Sequence, residues 1–229
     1  ASHDLRVADR AAPREPVAGP GAARNVGWIL TSALVSTMWT NQVLLHTVIP
    51  LWLVARTDAP AVLLAWLFGT NTVLCIFLPP YLARMSRTLD AALRAVWISA
   101  AFFVGSCLIT MVTHSTAGLW TIALVWLGHV TVTGAELAIS GATWSFQAEL
   151  MDPRRRGEYD GVANVARGLG SMWAPALYTW LAMEVQDGLG WLVIAAIILT
   201  AATAFRPSVA AARRFRDRHF PVVAPLGVE

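Results

Sequence analysis

The sequence predicts an all-α integral membrane protein, a bundle of six transmembrane helices. Of its 229 residues 56% are hydrophobic and only 14% are charged, whereas soluble domains carry about a quarter charged residues. Six apolar segments recur along the chain, each near the roughly 20 residues needed to cross the hydrocarbon core. All seventeen basic residues are Arg, and nearly all lie between these segments, so their placement provides an independent test of the span count.

Composition divides the chain into three regions. Residues 1–25 are rich in Ala, Pro, Gly, Arg and acidic residues. They cannot bury enough apolar surface to fold alone, which predicts a flexible cytoplasmic linker. Residues 26–206 are predicted to form the six-helix transmembrane domain, and residues 207–229 a basic cytoplasmic tail.

The six predicted spans are separated by charged or Pro-containing loops. The fourth is expected to continue as a helix beyond the membrane, as far as Leu150. In chain order the predicted segments are residues 27–54, 61–82, 93–112, 119–150, 162–183 and 189–205.

The Arg residues predict the orientation of these spans. With the N-terminus placed in the cytoplasm, fifteen Arg residues fall on the inner side and only Arg56 falls on the outer side. Arg167 is left inside a span. Because short cytoplasmic loops carry an excess of basic residues, we expect a multi-pass protein of the cytoplasmic membrane with both termini in the cytoplasm.

The fourth predicted span has a polar face and a small-residue face. At 100° per residue, five polar side chains fall within an arc of about 60°. These residues are His129, Thr133, Glu136, Ser140 and Gln147. The opposite side repeats Gly134, Ala138 and Ala142 at every fourth position, which suits close helix packing. One face is therefore predicted to pack, and the other to face polar surroundings.

Glu136 and His129 are the candidates for proton coupling. Ionisable groups inside a span are costly and usually face protein or water. A carboxylate at Glu136 suits a proton carrier, a cation-binding group or a structural partner of an Arg. Imidazole titrates near neutral pH, so His129 suits either a shared proton relay or a hydrogen-bonded packing role.

Other polar groups within the spans are candidates to line a substrate cavity. Each has a structural alternative, because amides and hydroxyls also bond between helices and Arg167 could snorkel to the interface. The predicted lining residues are Asn41, Gln42, His46, Asn71, Thr133 and Arg167.

Several classes of protein are disfavoured by motifs that the sequence lacks. It contains no HExxH, no CxxC and no phosphate-binding glycine loop, so we predict neither an enzyme nor a metal site nor a bound cofactor. The Arg residues lie between apolar runs instead of forming a basic face, so no nucleic-acid partner is expected.

Residues 133–181 resemble the tenth and eleventh helices of major facilitator superfamily transporters, in particular the drug-efflux branch. The resemblance is carried by the loop of residues 153–161, PRRRGEYDG, and by Gly168, Gly170 and Pro175 in the next span. Residues 47–52 resemble the outer end of the seventh helix of the family. Residues 80–87 resemble its repeated loop signature between the eighth and ninth helices.

This resemblance implies the C-terminal six-helix half of such a transporter, built as a 3+3 inverted repeat. Its first and fourth helices would line the cavity, and its third and sixth would face lipid. The implied function is proton-coupled antiport that exports a small amphipathic molecule. The implied partners are the substrate, protons, the lipid bilayer and either a missing N-terminal half or a second copy. The alternative is a non-transporting membrane protein for binding or assembly.

Overall fold

The computed structural model describes residues 19–79, 88–185 and 188–220, and within these ranges the secondary structure is helical with connecting turns. We number the main helices in chain order. They are α1 (Val26–Met38), α2 (Ile49–Arg56), α3 (Leu63–Phe77), α4 (Leu89–Val112), α5 (Leu119–Leu150), α6 (Arg156–Glu184) and α7 (Gly190–His219). Helices α1 and α2 together form the first predicted span, which confirms the all-α, six-helix class.

Length and apolar composition suffice for three of these helices to cross a membrane, namely α4, α5 and α7, and α3 is a shorter apolar helix. Helix α5 ends at Leu150, where the sequence placed its end. Helix α7 continues past the predicted span boundary at residue 205 and ends at His219. Its basic C-terminal part is therefore a helical extension of the sixth span, as far as the structure describes it.

Three stretches named from the sequence lie wholly or partly outside the described residues. Residues 80–87 carry the second family-like loop signature, and residues 1–18 form most of the predicted linker. The third stretch is residues 221–229 of the predicted tail.

The first span is broken between α1 and α2. At the end of α1 the Thr40 hydroxyl donates to the Thr37 carbonyl at 2.6 Å. A short helix at Asn41–Val43 and a π-helical turn at Leu44–Val48 follow. Pro50 has no N–H and cannot donate to the carbonyl four residues earlier, which favours the wider turn. Such π-turns are frequent at functional sites.

Helices α4 and α5 pack closely through small residues. The Ser99 hydroxyl donates to the Ala135 carbonyl at 2.8 Å, and the Ser106 hydroxyl donates to the Gly128 carbonyl at 2.7 Å. A Cβ on Gly134 would lie 3.1 Å from the Phe102 ring. The predicted packing role of the Gly134 side of α5 is therefore confirmed at that residue.

The Arg-rich segments gather at one end of the bundle. There the Ala22 N–H donates to Glu158 Oε2 at 3.1 Å, and the Arg155 guanidinium donates to the Gly19 carbonyl at 2.8 Å. Arg216 of α7 lies 3.7 Å from the Glu149 carboxylate of α5. The N-terminal segment, the end of α5, the start of α6 and the end of α7 thus share one end.

The opposite end joins α2 to the connections between the other helices. The Gly118 N–H donates to Asp58 Oδ2 at 2.6 Å, and Trp52 Nε1 donates to the Thr113 hydroxyl at 2.9 Å. Arg56 donates to the Met183 carbonyl there. Among the described residues, Arg56 therefore lies at the opposite end of the bundle from the Arg-rich segments, which we call the Arg cluster. This arrangement agrees with the charge asymmetry predicted from the sequence.

Candidate functional site

Three predicted site residues meet where α3 crosses α5. Asn71 of α3 donates from Nδ2 to the Thr133 hydroxyl at 3.0 Å and to Glu136 Oε2 at 3.3 Å. Thr133 in turn donates to the His129 backbone carbonyl at 3.0 Å. We call Asn71, Thr133 and Glu136 the carboxylate cluster. Among the described residues Glu136 forms no ion pair, so the Arg partner considered from sequence is not observed there.

Cys75 is a neighbour of this cluster that sequence reasoning missed. It lies one helical turn after Asn71 on α3, is half-buried, and is near enough to Glu136 to interact with it electrostatically. Residues four apart occupy the same side of a helix. The spacing from Asn71 was therefore the signal that could have placed Cys75 beside the carboxylate.

The two predicted histidines meet around an aromatic ring. The His46 ring stacks on Phe68 of α3, with centroids 5.8 Å apart and planes 6° apart. The His129 ring meets Phe68 edge-on, at 6.1 Å and 90°. His46 also shares a 3.0 Å hydrogen bond with Gln42. Phe68 was not predicted, although it lies three residues before Asn71 on the same helix.

No direct hydrogen bond connects the two predicted proton-coupling residues. His129 is fully buried, and both ring nitrogens lack a hydrogen-bond partner among the described residues. Its backbone carbonyl, not its ring, reaches Thr133. Glu136 and His129 therefore belong to neighbouring clusters on α5, with Thr133 between them along the helix.

Asn41 lies buried in the break of the first span. Its side chain has no solvent exposure, and neither the amide oxygen nor the amide nitrogen has a partner within the described chain. The adjacent Thr40 hydroxyl lies 3.0 Å from the Tyr178 hydroxyl of α6. An amide with two unsatisfied polar atoms carries a desolvation cost of about 1–3 kcal/mol for each group.

Arg167 lies in a groove between α6 and the broken first span. Its guanidinium donates to Asn164 Oδ1 at 3.0 Å, one turn earlier on α6, and the residue is exposed. The groove is lined by Ser36, Trp39, Thr40, Gln42, Val43, Arg167, Gly170 and Ser171. Arg167 and Gln42 thus face one open groove.

Close helix contact builds the wall of this groove. The Ser36 hydroxyl donates to the Ala166 carbonyl of α6 at 2.8 Å. A Cβ on Gly170 would lie only 2.2 Å from the Ser36 hydroxyl oxygen, so α1 and α6 can approach this closely only with glycine there. Trp39 donates to the Thr143 hydroxyl of α5 at 3.2 Å, which joins the groove to α5.

The structure thus divides the predicted site residues between four places. The carboxylate cluster joins α3 to α5, and the histidines flank Phe68 nearby. Asn41 is enclosed at the helix break, while Gln42 and Arg167 face the groove. No group of three or more His, Cys, Asp or Glu side chains suited to a metal occurs within the described ranges.

Polar groups inside the apolar spans of a multi-pass helical bundle mark a functional site, and membrane transporters place their binding sites among such groups. The sequence matches the family model described as Major Facilitator Superfamily over residues 4–175. The chain belongs to this superfamily of membrane transporters, whose members are not enzymes. Comparison with curated proteins and with solved structures found no significant match.

Membership of this family gives the chain a small-molecule substrate and a place in the lipid bilayer. The match runs through the broken first span and α5 and ends within α6. It therefore includes all eight predicted site residues, the last of which is Arg167.

Proposed function

We propose that the chain is the C-terminal six-helix half of a proton-coupled antiporter of the drug-efflux type. In this proposal it exports a small amphipathic molecule across the cytoplasmic membrane. Glu136 carries the coupling proton, and His129 assists from the neighbouring cluster. Gln42, His46, Asn41, Asn71, Thr133 and Arg167 form the polar side of the cavity.

The hydrogen bonding of Glu136 carries this proposal. The carboxylate is half-buried on an apolar helix and accepts from the Asn71 amide, but it forms no ion pair with a described Arg. A carboxylate held by a neutral donor can gain or lose a proton without breaking a salt bridge. Ionisable groups at such positions in transporters commonly serve as proton relays.

The composition of the groove supports an amphipathic substrate. Trp39 and Val43 offer apolar surface, while Gln42, Ser171 and Arg167 offer polar groups along the same groove. Binding sites of this kind combine apolar walls with a few polar groups that orient the ligand.

The exposed polar face supports a second six-helix unit. His46 and Arg167 are exposed in this single half, although polar groups within spans normally face protein or water. An N-terminal half or a second copy of the chain opposite this face would complete a central cavity, with the site near the midplane between the repeats.

The proposed orientation places both termini in the cytoplasm, because the Arg-rich end carries the basic residues typical of cytoplasmic loops. A Cys introduced at exposed Ser115, between α4 and α5, should react with a membrane-impermeant maleimide in intact cells. A Cys introduced at exposed Asp217 on α7 should react only after permeabilisation. The reverse pattern would refute this orientation.

The function is tested by Glu136→Gln in the complete transporter. Efflux of preloaded ethidium is followed after an inward proton gradient is imposed on cells or vesicles. We expect the variant to reach the membrane in normal amounts but to lose gradient-driven efflux by at least about a hundredfold, because a neutral amide cannot carry the proton.

The matched control is Glu184→Gln, which makes the same chemical change at an exposed residue at the other end of the bundle from the Arg cluster. It should leave efflux unchanged. Normal efflux by Glu136→Gln would exclude Glu136 from coupling. Loss of efflux in both variants would indicate a general sensitivity to charge instead of a specific site.

A further inference from the structure

An open pocket between α4 and α7 brings two arginines together on a surface away from the carboxylate cluster and the groove. It is lined by Asp90, Leu93, Arg94, Trp97, Ala202 and Arg206. Arg94 comes from the second turn of α4, and Arg206 from the middle of α7. Both side chains are exposed.

Neither guanidinium has a partner in the part of the chain that the structure describes. Eight other described arginines, among them Arg56, Arg155, Arg213 and Arg216, form ion pairs or hydrogen bonds with described groups. Asp90 lines the same pocket but forms no ion pair with either arginine. The pocket therefore carries two positive charges against one negative charge, which favours an anion.

The depth of the pocket matches the membrane interface. Arg94 lies about 8 Å along the axis from the first residue of α4, at 1.5 Å per residue. Arg206 immediately follows the apolar segment that was predicted to span the membrane at residues 189–205. Trp97 lies one turn deeper on α4 and is half exposed, as expected for the aromatic belt at the level of the lipid headgroups.

We propose that this pocket binds the phosphate of an anionic phospholipid headgroup in the leaflet at the Arg-rich end. Two guanidiniums supply paired donors for phosphate oxygens, and basic pockets between transmembrane helices bind such headgroups. Trp97 and Leu93 lie beside them and offer apolar surface to the start of the acyl chains. Proton coupling and substrate transport are not required for this interaction.

Native mass spectrometry of the full chain in a neutral detergent tests the proposal by titration with phosphatidylglycerol and with phosphatidylcholine of the same acyl chains. We expect tighter binding of phosphatidylglycerol. Arg94→Gln and Arg206→Gln should each weaken that binding about fivefold, which corresponds to about 1 kcal/mol per basic residue near an anionic surface. Asp90→Asn should tighten it, a result that misfolding could not produce.

Arg218→Gln is the matched control, because Arg218 is exposed at the same end but lies outside the pocket and donates to the Arg214 carbonyl. It should change binding less than twofold. Equal losses in Arg218→Gln and Arg94→Gln would indicate diffuse attraction and overturn the proposal, as would equal binding of the two lipids. Complete displacement of phosphatidylglycerol by millimolar inorganic phosphate would assign the pocket to soluble phosphate and also overturn it.

Discussion

Asn71 and Glu136 are joined across two helices by a 3.3 Å hydrogen bond from the amide nitrogen to the carboxylate oxygen. The same nitrogen also donates to Thr133 at 3.0 Å. Asn71 therefore fixes the position of α3 relative to the ionisable side chain of α5. This link gives the amide a positioning role in the proposed coupling.

Asn71→Ala should impair transport far more than it destabilises the bundle. Side-chain hydrogen bonds within membranes contribute on average only about 0.6 kcal/mol, so the melting temperature should fall by a few degrees at most. Gradient-driven efflux should fall at least about tenfold, because Glu136 loses its donor. The two measurements are efflux and the melting temperature of the purified protein.

Thr72→Ala is the control for Asn71→Ala, since the Thr72 side chain is exposed and its hydroxyl donates to the Phe68 carbonyl of its own helix. It should retain efflux. Retention of efflux by Asn71→Ala as well would show that the amide only packs the helices.

Gly170→Ala should separate α1 from α6. The new Cβ would lie 2.2 Å from the Ser36 hydroxyl oxygen, and such overpacking commonly costs about 1–3 kcal/mol. We expect a lower melting temperature, measured in detergent. Because the clash involves one side-chain oxygen, adding Ser36→Ala should recover much of the loss, as a double-mutant cycle would measure.

Gly168→Ala serves as the comparison for Gly170→Ala, since its Cβ would meet nothing within 4 Å among the described residues. Alanine is favoured over glycine in a helix interior by about 1 kcal/mol. The two substitutions should therefore change stability in opposite directions. A decrease of the same size in both would argue against the close contact with Ser36.

The substitution His129→Leu should show whether His129 serves in proton coupling or only in packing. A buried polar group without a hydrogen bond costs about 1–3 kcal/mol, and the His129 ring has no such partner in the described chain. The leucine variant should thus be at least as stable as the native protein. Efflux driven by the proton gradient should nevertheless fall if His129 takes part in coupling.

The readouts for His129→Leu are the melting temperature and the dependence of efflux on the imposed gradient. His114→Leu is the control, at an exposed histidine outside the predicted spans. Unchanged gradient dependence in His129→Leu would assign His129 to packing against Phe68 and remove it from the proposed mechanism.

The sequence by itself determined the class of the protein and the segments of the chain that form its helices. The hydrophobicity of a segment depends only on the residues in that segment. Helical periodicity is set by hydrogen bonds between residues four apart, so neither property depends on distant contacts. The end of α5 at Leu150 and the packing side of Gly134 were predicted for this reason, whereas the membrane-transporter family was predicted from the resemblance of residues 133–181. Arg placement likewise predicted the charged end of the bundle, because topology depends on local charge.

Only the tertiary structure decided which side chains meet. The relative rotation and depth of two helices set whether Asn71 reaches Glu136, and no periodicity in one segment contains that information. For the same reason the sequence placed His129 and Glu136 on one stripe, but it could not show that Phe68 packs against the histidine ring. The break at residues 39–48 also joins α1 to α6 through Thr40 and Tyr178, a contact that depends on packing between distant segments.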